Sequence, residues 1–343
     1  MSRSTWSRGV GLATGLLLLS GCGSSGDDQP MASATATTSV LGGNGTMYVS
    51  NWDIEAGTLT LQAHPIQPDG TLAAASTLLS EAAADADFPG IVDGLGPTVV
   101  TGTFADYWTT ALQVYESGQV RNELAAQGWC GGEGLTYSVC SVLDDQRLAR
   151  TTELGRDPVT GDGPPEGSVL VSSLSDGSTL AELGPFPDLN MMLGTGSADE
   201  VLLVTRPVDT ESEQGPPADV LRLDIGEGST TPVGTSPAGW APLCPIGADS
   251  VLGFSAQDTQ TAIVVGPSPI ADITWSAEDS VVGCSADGRF LYLQRIPQPP
   301  TEESDDTEPA NPPTTVERIT LSDGSRTDVL TLPAGQYAAP ITR

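Results

Sequence analysis

The sequence predicts an all-β chain, a six-bladed β-propeller whose ring is closed by a C-terminal strand joining the N-terminal blade. Three observations carry this reading. The 343 residues include 40 Gly and 27 Pro, which oppose long helices and favour short strands joined by turns. A strand–turn–strand–loop–strand–turn–strand unit recurs at the roughly 40–50-residue spacing of radial four-stranded repeats. The first unit lacks its first strand, and the chain ends in a first strand with nothing after it. Two β-sandwiches would leave that split unit unexplained.

The unit is best formed over 281–332. VVGCSADGRFLYLQRI (281–296) holds two alternating segments around Asp287-Gly288. After an acidic, Pro-rich interruption, TVERITLSDGSRTDVLTL (315–332) holds two more around Asp323-Gly324. Asp-Gly between alternating segments is a hairpin signal.

In chain order, unit one supplies strands at Thr46–Ser50, Thr58–Ile66 and Thr71–Leu79, with Pro68-Asp69-Gly70 as its turn. Unit two has Gly90–Leu95, Thr98–Thr103, Ala111–Glu116 and Val120–Leu124. Unit three has Leu135–Val142, Arg147–Glu153, Ser168–Leu174 and Thr179–Leu183. Unit four has Met191–Thr195, Val201–Thr205, Val220–Ile225 and Thr230–Gly234. Unit five has Ala241–Ile246, Val251–Ser255, Thr261–Val265 and Ala271–Trp275. An aromatic stands just before each first strand: Phe88, Trp129, Phe186, Trp240, Trp275 and Tyr337. These six read as blade-to-blade packing residues. Tyr337-Ala338-Ala339-Pro340 reads like Trp240-Ala241-Pro242-Leu243, and is the first strand that unit one lacks.

Ser285-Ala286-Asp287-Gly288-Arg289-Phe290-Leu291-Tyr292 resembles the Ser-Pro-Asp-Gly-Lys/Arg motif of the TolB-like propeller family, with Ala in place of Pro. Ser322-Asp323-Gly324 matches that family's second hairpin. Units two to five keep the turn spacing without the letters. The resemblance implies six blades.

The N-terminus gives an address. Arg3 and Arg8 precede the apolar run Val10–Leu19, which is too short to span a bilayer. Leu19-Ser20-Gly21-Cys22 follows and resembles a bacterial lipobox, which implies cleavage before Cys22 and acylation of its thiol. The expected organisation is a lipoprotein signal peptide at 1–21, a lipidated flexible tether at 22–45 rich in Gly, Ser, Thr and Ala, and a propeller at 46–343. The expected location is the cell envelope, outside the cytoplasm and held to the membrane by lipid.

Charge limits the partners. There are 44 Asp and Glu against 13 positive residues, all Arg, for a formal charge of −31. Nucleic acid requires a basic surface this chain lacks, and an anionic membrane would not attract it. An unknown envelope protein or a cationic peptide fits. The loops between second and third strands of units three, four and six (155–167, 205–219 and 297–314) together hold twelve acidic residues and two Arg. On the topology these loops share one face. The bland reading is that they are tolerated, solvated insertions. The functional reading is an acidic docking rim with Glu302, Glu303, Asp305 and Asp306, joined by Trp52, Asp53, Tyr107 and Trp108 from the equivalent loops of units one and two.

Beyond Cys22 there are four cysteines. Cys140, Cys244 and Cys284 each end a first strand, and an exported chain with an even count suggests two disulfides. Among three connectivities, Cys130–Cys140 within a unit and Cys244–Cys284 across neighbouring units are preferred; free buried thiols are the other possibility. No Cys-x-x-Cys pair points to zinc or redox chemistry.

Catalytic signatures do not appear in the sequence. His64 is the one histidine, and there is no Gly-x-Ser-x-Gly elbow. No catalytic residue, metal site or cofactor is assigned. The reading is a non-catalytic protein- or peptide-binding scaffold or sensor. The alternative is a hydrolase or lyase acting on a sugar or small metabolite in the central channel, which needs inward carboxylates such as Asp93, Asp144, Asp199 or Asp287.

Overall fold

The structure is a computed structural model that describes residues 44–53, 58–82, 88–95, 98–105, 108–116, 119–125, 140–152, 166–207, 215–255, 259–295, 313–333 and 336–342. The chain divides into Met1–Thr37 and Thr38–Arg343, and every described residue belongs to the second unit.

Blade one contributes β1 (Thr46–Asp53), β2 (Thr58–Pro65) and β3 (Ser76–Ala82). Blade two is β4 (Phe88–Leu95), β5 (Thr98–Ala105), β6 (Trp108–Glu116) and β7 (Gln119–Ala125). Blade three is β8 (Cys140–Val142), β9 (Arg147–Thr151), β10 (Glu166–Ser173) and β11 (Thr179–Pro187). Blade four is β12 (Leu189–Gly194), β13 (Glu200–Thr205), β14 (Asp219–Asp224) and β15 (Thr230–Thr235). Blade five is β16 (Trp240–Pro245), β17 (Val251–Ser255), β18 (Thr259–Val265) and β19 (Thr274–Ser276). Blade six is β20 (Ser280–Cys284), β21 (Phe290–Arg295), β22 (Thr314–Thr320) and β23 (Arg326–Leu332). The last strand, β24 (Gln336–Thr342), pairs antiparallel with β1 and completes blade one. Each sheet therefore has four strands in meander order. The first strands β24, β4, β8, β12, β16 and β20 each touch the first strands of both neighbouring blades, so they line the axis of a closed ring.

Alternation along the second strands explains the continuous apolar runs. Met47 and Val49 pack toward blade six, while Tyr48 between them packs toward blade two. Leu202 and Val204 face blade five, and Val201 and Leu203 face blade three. Leu291 and Leu293 face blade five, and Phe290 and Tyr292 face blade one. A strand covered on both faces is apolar at both parities. The six hydrophobic clusters are the six blade interfaces. Phe186, Trp240 and Trp275 lie buried in three of them. Fourth strands are the exposed outer edges, as in β11 and β15.

The Asp-Gly turns follow from local chemistry. A carboxylate oxygen of Asp69 accepts the Thr71 amide, Asp176 that of Ser178, Asp287 that of Arg289 and Asp323 that of Ser325. This is the Asx turn, which satisfies backbone donors inside the hairpin.

Closure uses both chain ends. Asn44 accepts the Ala286 amide at its carbonyl (3.0 Å) and the Asp287 amide at Oδ1 (3.2 Å), and its Nδ2 donates to Gln67 O (3.2 Å). Gly45 O accepts the Ile66 amide. The expected tether boundary at 45 therefore moves: Asn44 and Gly45 belong to the ring. Tyr292 donates its hydroxyl to Gly70 O at 2.9 Å. Gly70 has φ +78°, and a Cβ there would lie 2.7 Å from Arg318 Cδ and 2.8 Å from Phe290, so only Gly fits. Buried Gln294 accepts the Ala338 amide and donates to Thr314 Oγ1.

Two fourth strands differ from expectation. In blade one it starts at Ser76 rather than Thr71, because 71–75 folds back on β2 through the Ile66–Leu72 bridge and the Ala73 amide to Pro65 O bond. In blade five it is only Thr274–Ser276, because Gly266–Ile273 forms a strap whose Ala271 amide bonds Leu321 O in blade six.

Cys244 and Cys284 form a disulfide between β16 and β20, 6.1 Å apart at Cα. Replacing both with Ala is expected to destabilise the fold by about 2–4 kcal/mol, read as a lower urea midpoint; an unchanged midpoint would contradict a structural role. Asn44→Ala is expected to cost about 1–3 kcal/mol, since it strands the Asp287 amide and Gln67 carbonyl. Amide exchange should then quicken in β24 and the 285–289 turn but not in blade three; uniform quickening would argue against a local closure clasp.

Candidate functional site

The meander gives the ring two ends. Hairpins between first and second and between third and fourth strands define a turn end. Links between second and third strands, and links between blades, define a loop end. The strand ends flanking the three acidic segments all fall at the loop end: β9 and β10, β13 and β14, β21 and β22. Trp52 and Asp53 close β1 and Trp108 opens β6 at that same end. Their side chains, together with Tyr107, Glu302, Glu303, Asp305 and Asp306, lie outside the described residues.

Arg206 is one of the two arginines in those segments, and it is turned inward. Its guanidinium is half-buried and donates from Nη2 to Trp240 O in the next blade. Burial pulls its pKa below the usual guanidinium value. Four more blade interfaces use the same device. Arg121 donates to Asp145 O, Arg147 to Ala198 O, Arg326 to Thr274 O, and Arg289 and Arg318 to Pro68 O and Asp69 O. Sequence reasoning missed this use of arginine; the all-Arg cation set was its signal, because a planar fork can bind a carbonyl and a carboxylate at once. Phe290 lies beneath both Arg289 and Arg318, at 5.3 and 5.2 Å from the ring centroid.

Each carboxylate named for the channel-enzyme alternative has a bonding or charged partner within the fold. Asp93 Oδ2 accepts Ser141 Oγ (2.9 Å) and the Val142 amide (2.8 Å), joining the first strands of blades two and three. Asp144 sits in a turn, accepting the amides of Gln146 and Arg147 and pairing with Arg147 Nε at 2.6 Å. Asp199 is an exposed turn residue 3.6 Å from Arg147. Asp287 is in the 285–289 turn, where partial burial raises its pKa but bonds from Ser285 and Arg289 outweigh this and leave it below the ordinary carboxylate range. Glu317, 3% exposed, has both oxygens taken, by Arg295 (2.6 Å) and Arg326 (3.1 Å). These are structural uses.

His64 is buried in β2 opposite Met47, and its Nδ1–H donates to Ala73 O at 3.4 Å. It thus holds the 71–75 fold-back. Among the described residues no group of three His, Cys, Asp or Glu is placed to hold a metal. Cys140 is disulfide-bonded; Cys130 and Cys22 lie outside the described residues. A shallow cleft of about 280 Å³ opens at the turn end between blades five and six, walled by Ile246, Ile270, Phe290 and Leu321 with Arg289 at its rim.

The fold and these placements define a six-bladed propeller in which the strand ends flanking the acidic insertions share one end. No protein-family model matches the sequence, and no curated protein does. Solved structures do. TolB from Acinetobacter baumannii is 13% identical over 87% of this chain, with a TM-score of 0.47; the chain spans 65% of that protein's length, under two thirds. An oligogalacturonate lyase in complex with manganese is 12% identical over 84% of this chain and 74% of its own, with a TM-score of 0.43. A prolyl endopeptidase is 12% identical over 84% of this chain and 50% of its own, with a TM-score of 0.45. These likenesses concern architecture; the blade count and closure rest on the sheets themselves.

His64 yields a pH prediction. Burial lowers its pKa below the ordinary 6.5, against a smaller opposing effect of the Ala73 bond. The unfolded chain therefore protonates first as pH falls, so the His64 contribution is complete above about 6.5 and declines below it. Thermal unfolding from pH 7.5 to 5 should show a stability loss that His64→Gln lacks, whereas carboxylate effects appear only near pH 4 and below. Parallel profiles would refute this.

Proposed function

We propose that the protein is a lipid-anchored, extracytoplasmic propeller that acts as a non-catalytic scaffold or sensor, docking a basic protein or peptide on its acidic loop end. The observation that carries this reading is topological: three separate segments with twelve acidic residues join strand ends at one end of the ring. A concentrated field of one sign speeds encounter with a basic partner and orients it. Arg206 supports the reading, because its guanidinium is turned into a blade interface rather than toward the rim. The Cys244–Cys284 disulfide supports a location outside the reducing cytoplasm. The lipobox-like Leu19-Ser20-Gly21-Cys22 supports the anchor.

A ten-residue oligoarginine peptide tests the rim by fluorescence anisotropy. Affinity should fall at least tenfold between about 50 and 200 mM salt, since surface attraction is screened over roughly 10 Å. Neutralising Glu302, Glu303, Asp305 and Asp306 to their amides should weaken binding several-fold. Neutralising the exposed turn-end residues Asp145, Glu227, Asp249 and Asp272 should leave it near the wild-type value. Equal weakening by both sets would reduce the effect to net charge and sink the docking rim.

A further inference from the structure

The end of the ring at which the chain enters bears on how an anchored propeller stands on its membrane. Asn44 is held at the turn end by three hydrogen bonds, to the 285–289 turn of blade six and the 67–71 turn of blade one. From Thr46, β1 runs away from that end and reaches the loop end at Asp53. Asn44, the first described residue, thus lies at the turn end, opposite the strand ends that flank the acidic insertions.

We propose that the turn end of the ring is its membrane-side face, and that the acidic loop end is presented away from the lipid to a basic partner in the aqueous compartment. The proposal rests on the lipid-anchor reading of Cys22. Residues 23–43, read from sequence as a flexible Gly/Ser/Thr/Ala tether, have a root-mean-square span of about 25 Å. The eight residues of β1 alone separate the two ends by about 26 Å. Turning the loop end to the bilayer would draw the tether along that whole depth and around the rim, well beyond its relaxed span, at an entropic cost. The turn end carries Asp69, Asp176 and Asp323 in its hairpins, so attraction to anionic lipid does not set this orientation. Connectivity sets it, and the orientation should not depend on lipid charge.

The test uses the full lipidated chain in vesicles of phosphatidylcholine, with and without phosphatidylglycerol. A donor fluorophore is attached through an unnatural residue at Ser322, exposed at the turn end, or at Glu278, exposed in the blade-five-to-six link at the loop end. Energy transfer to a headgroup-labelled acceptor lipid is expected to be at least twofold greater from position 322 in both lipid mixtures. Equal or reversed transfer in vesicle-bound protein overturns the orientation and leaves the anchor standing. Failure of the wild-type chain to float with vesicles, or flotation unchanged by Cys22→Ala, overturns the anchor itself and the orientation with it.

Discussion

The pairing of β24 with β1 is the constraint on which the ring depends. It brings Ala338 opposite Val49 and Tyr337 opposite Ser50, residues from the two ends of the chain. Without it blade one would have three strands, β1 would be an open edge, and the circle of first strands around the axis would be broken. Bringing such distant segments together is entropically unfavourable, though the cost rises only slowly with separation. The surrounding bonds offset it: Asn44 to two turns, Tyr292 to Gly70, Gln294 to Ala338, and the arginine pair over Phe290. The Cys244–Cys284 bridge lies one interface away and ties blade six to blade five. The blade that receives both termini is therefore flanked by a blade tied to both of its neighbours.

Each blade interface combines an apolar core with polar links at its margin. Alternation sends successive residues of a second strand into two different cores, so neighbouring interfaces share a strand but not a side chain. Arginine then crosses at five of the six interfaces to a backbone carbonyl of the adjoining blade. A lysine could supply charge there, but not a planar fork that bonds a carbonyl and a carboxylate together. Six of the thirteen arginines cross between blades in this way.

Some of the chain's carboxylates have defined structural roles. Asp69, Asp144, Asp176, Asp287 and Asp323 are turn-builders, each accepting a backbone amide two residues on, and Asp93 and Glu317 join strands or blades. Twelve more lie in the three insertions that join strand ends at the loop end. The proposed docking function uses the carboxylates of the insertions, which are separate from those that build turns and join blades.

Much of the architecture was legible in the sequence because its causes are local. Asp-Gly hairpins, short apolar runs such as VLLV (201–204) and FLYL (290–293) and a split first unit determine six blades and their closure, and the Cys register determines which first strands carry sulfur. The signal failed where a tertiary contact replaces a local one. The 71–75 segment looks like strand but folds onto His64 and Pro65. Ala271–Ile273 alternates like a strand but is held as a strap by blade six. Asn44 looks like tether until two turns more than twenty and two hundred residues away claim it. Asp93 and Asp287 illustrate the same limit in the site. Composition shows that carboxylates are plentiful, but only the packed ring decides which are bound to a neighbouring blade or turn. Sequence by itself determined the strands, the turns and the net charge, since these depend on nearest neighbours and composition. Tertiary structure decided which carboxylates are committed to the fold and at which end the chain enters, because both depend on what the closed ring brings together.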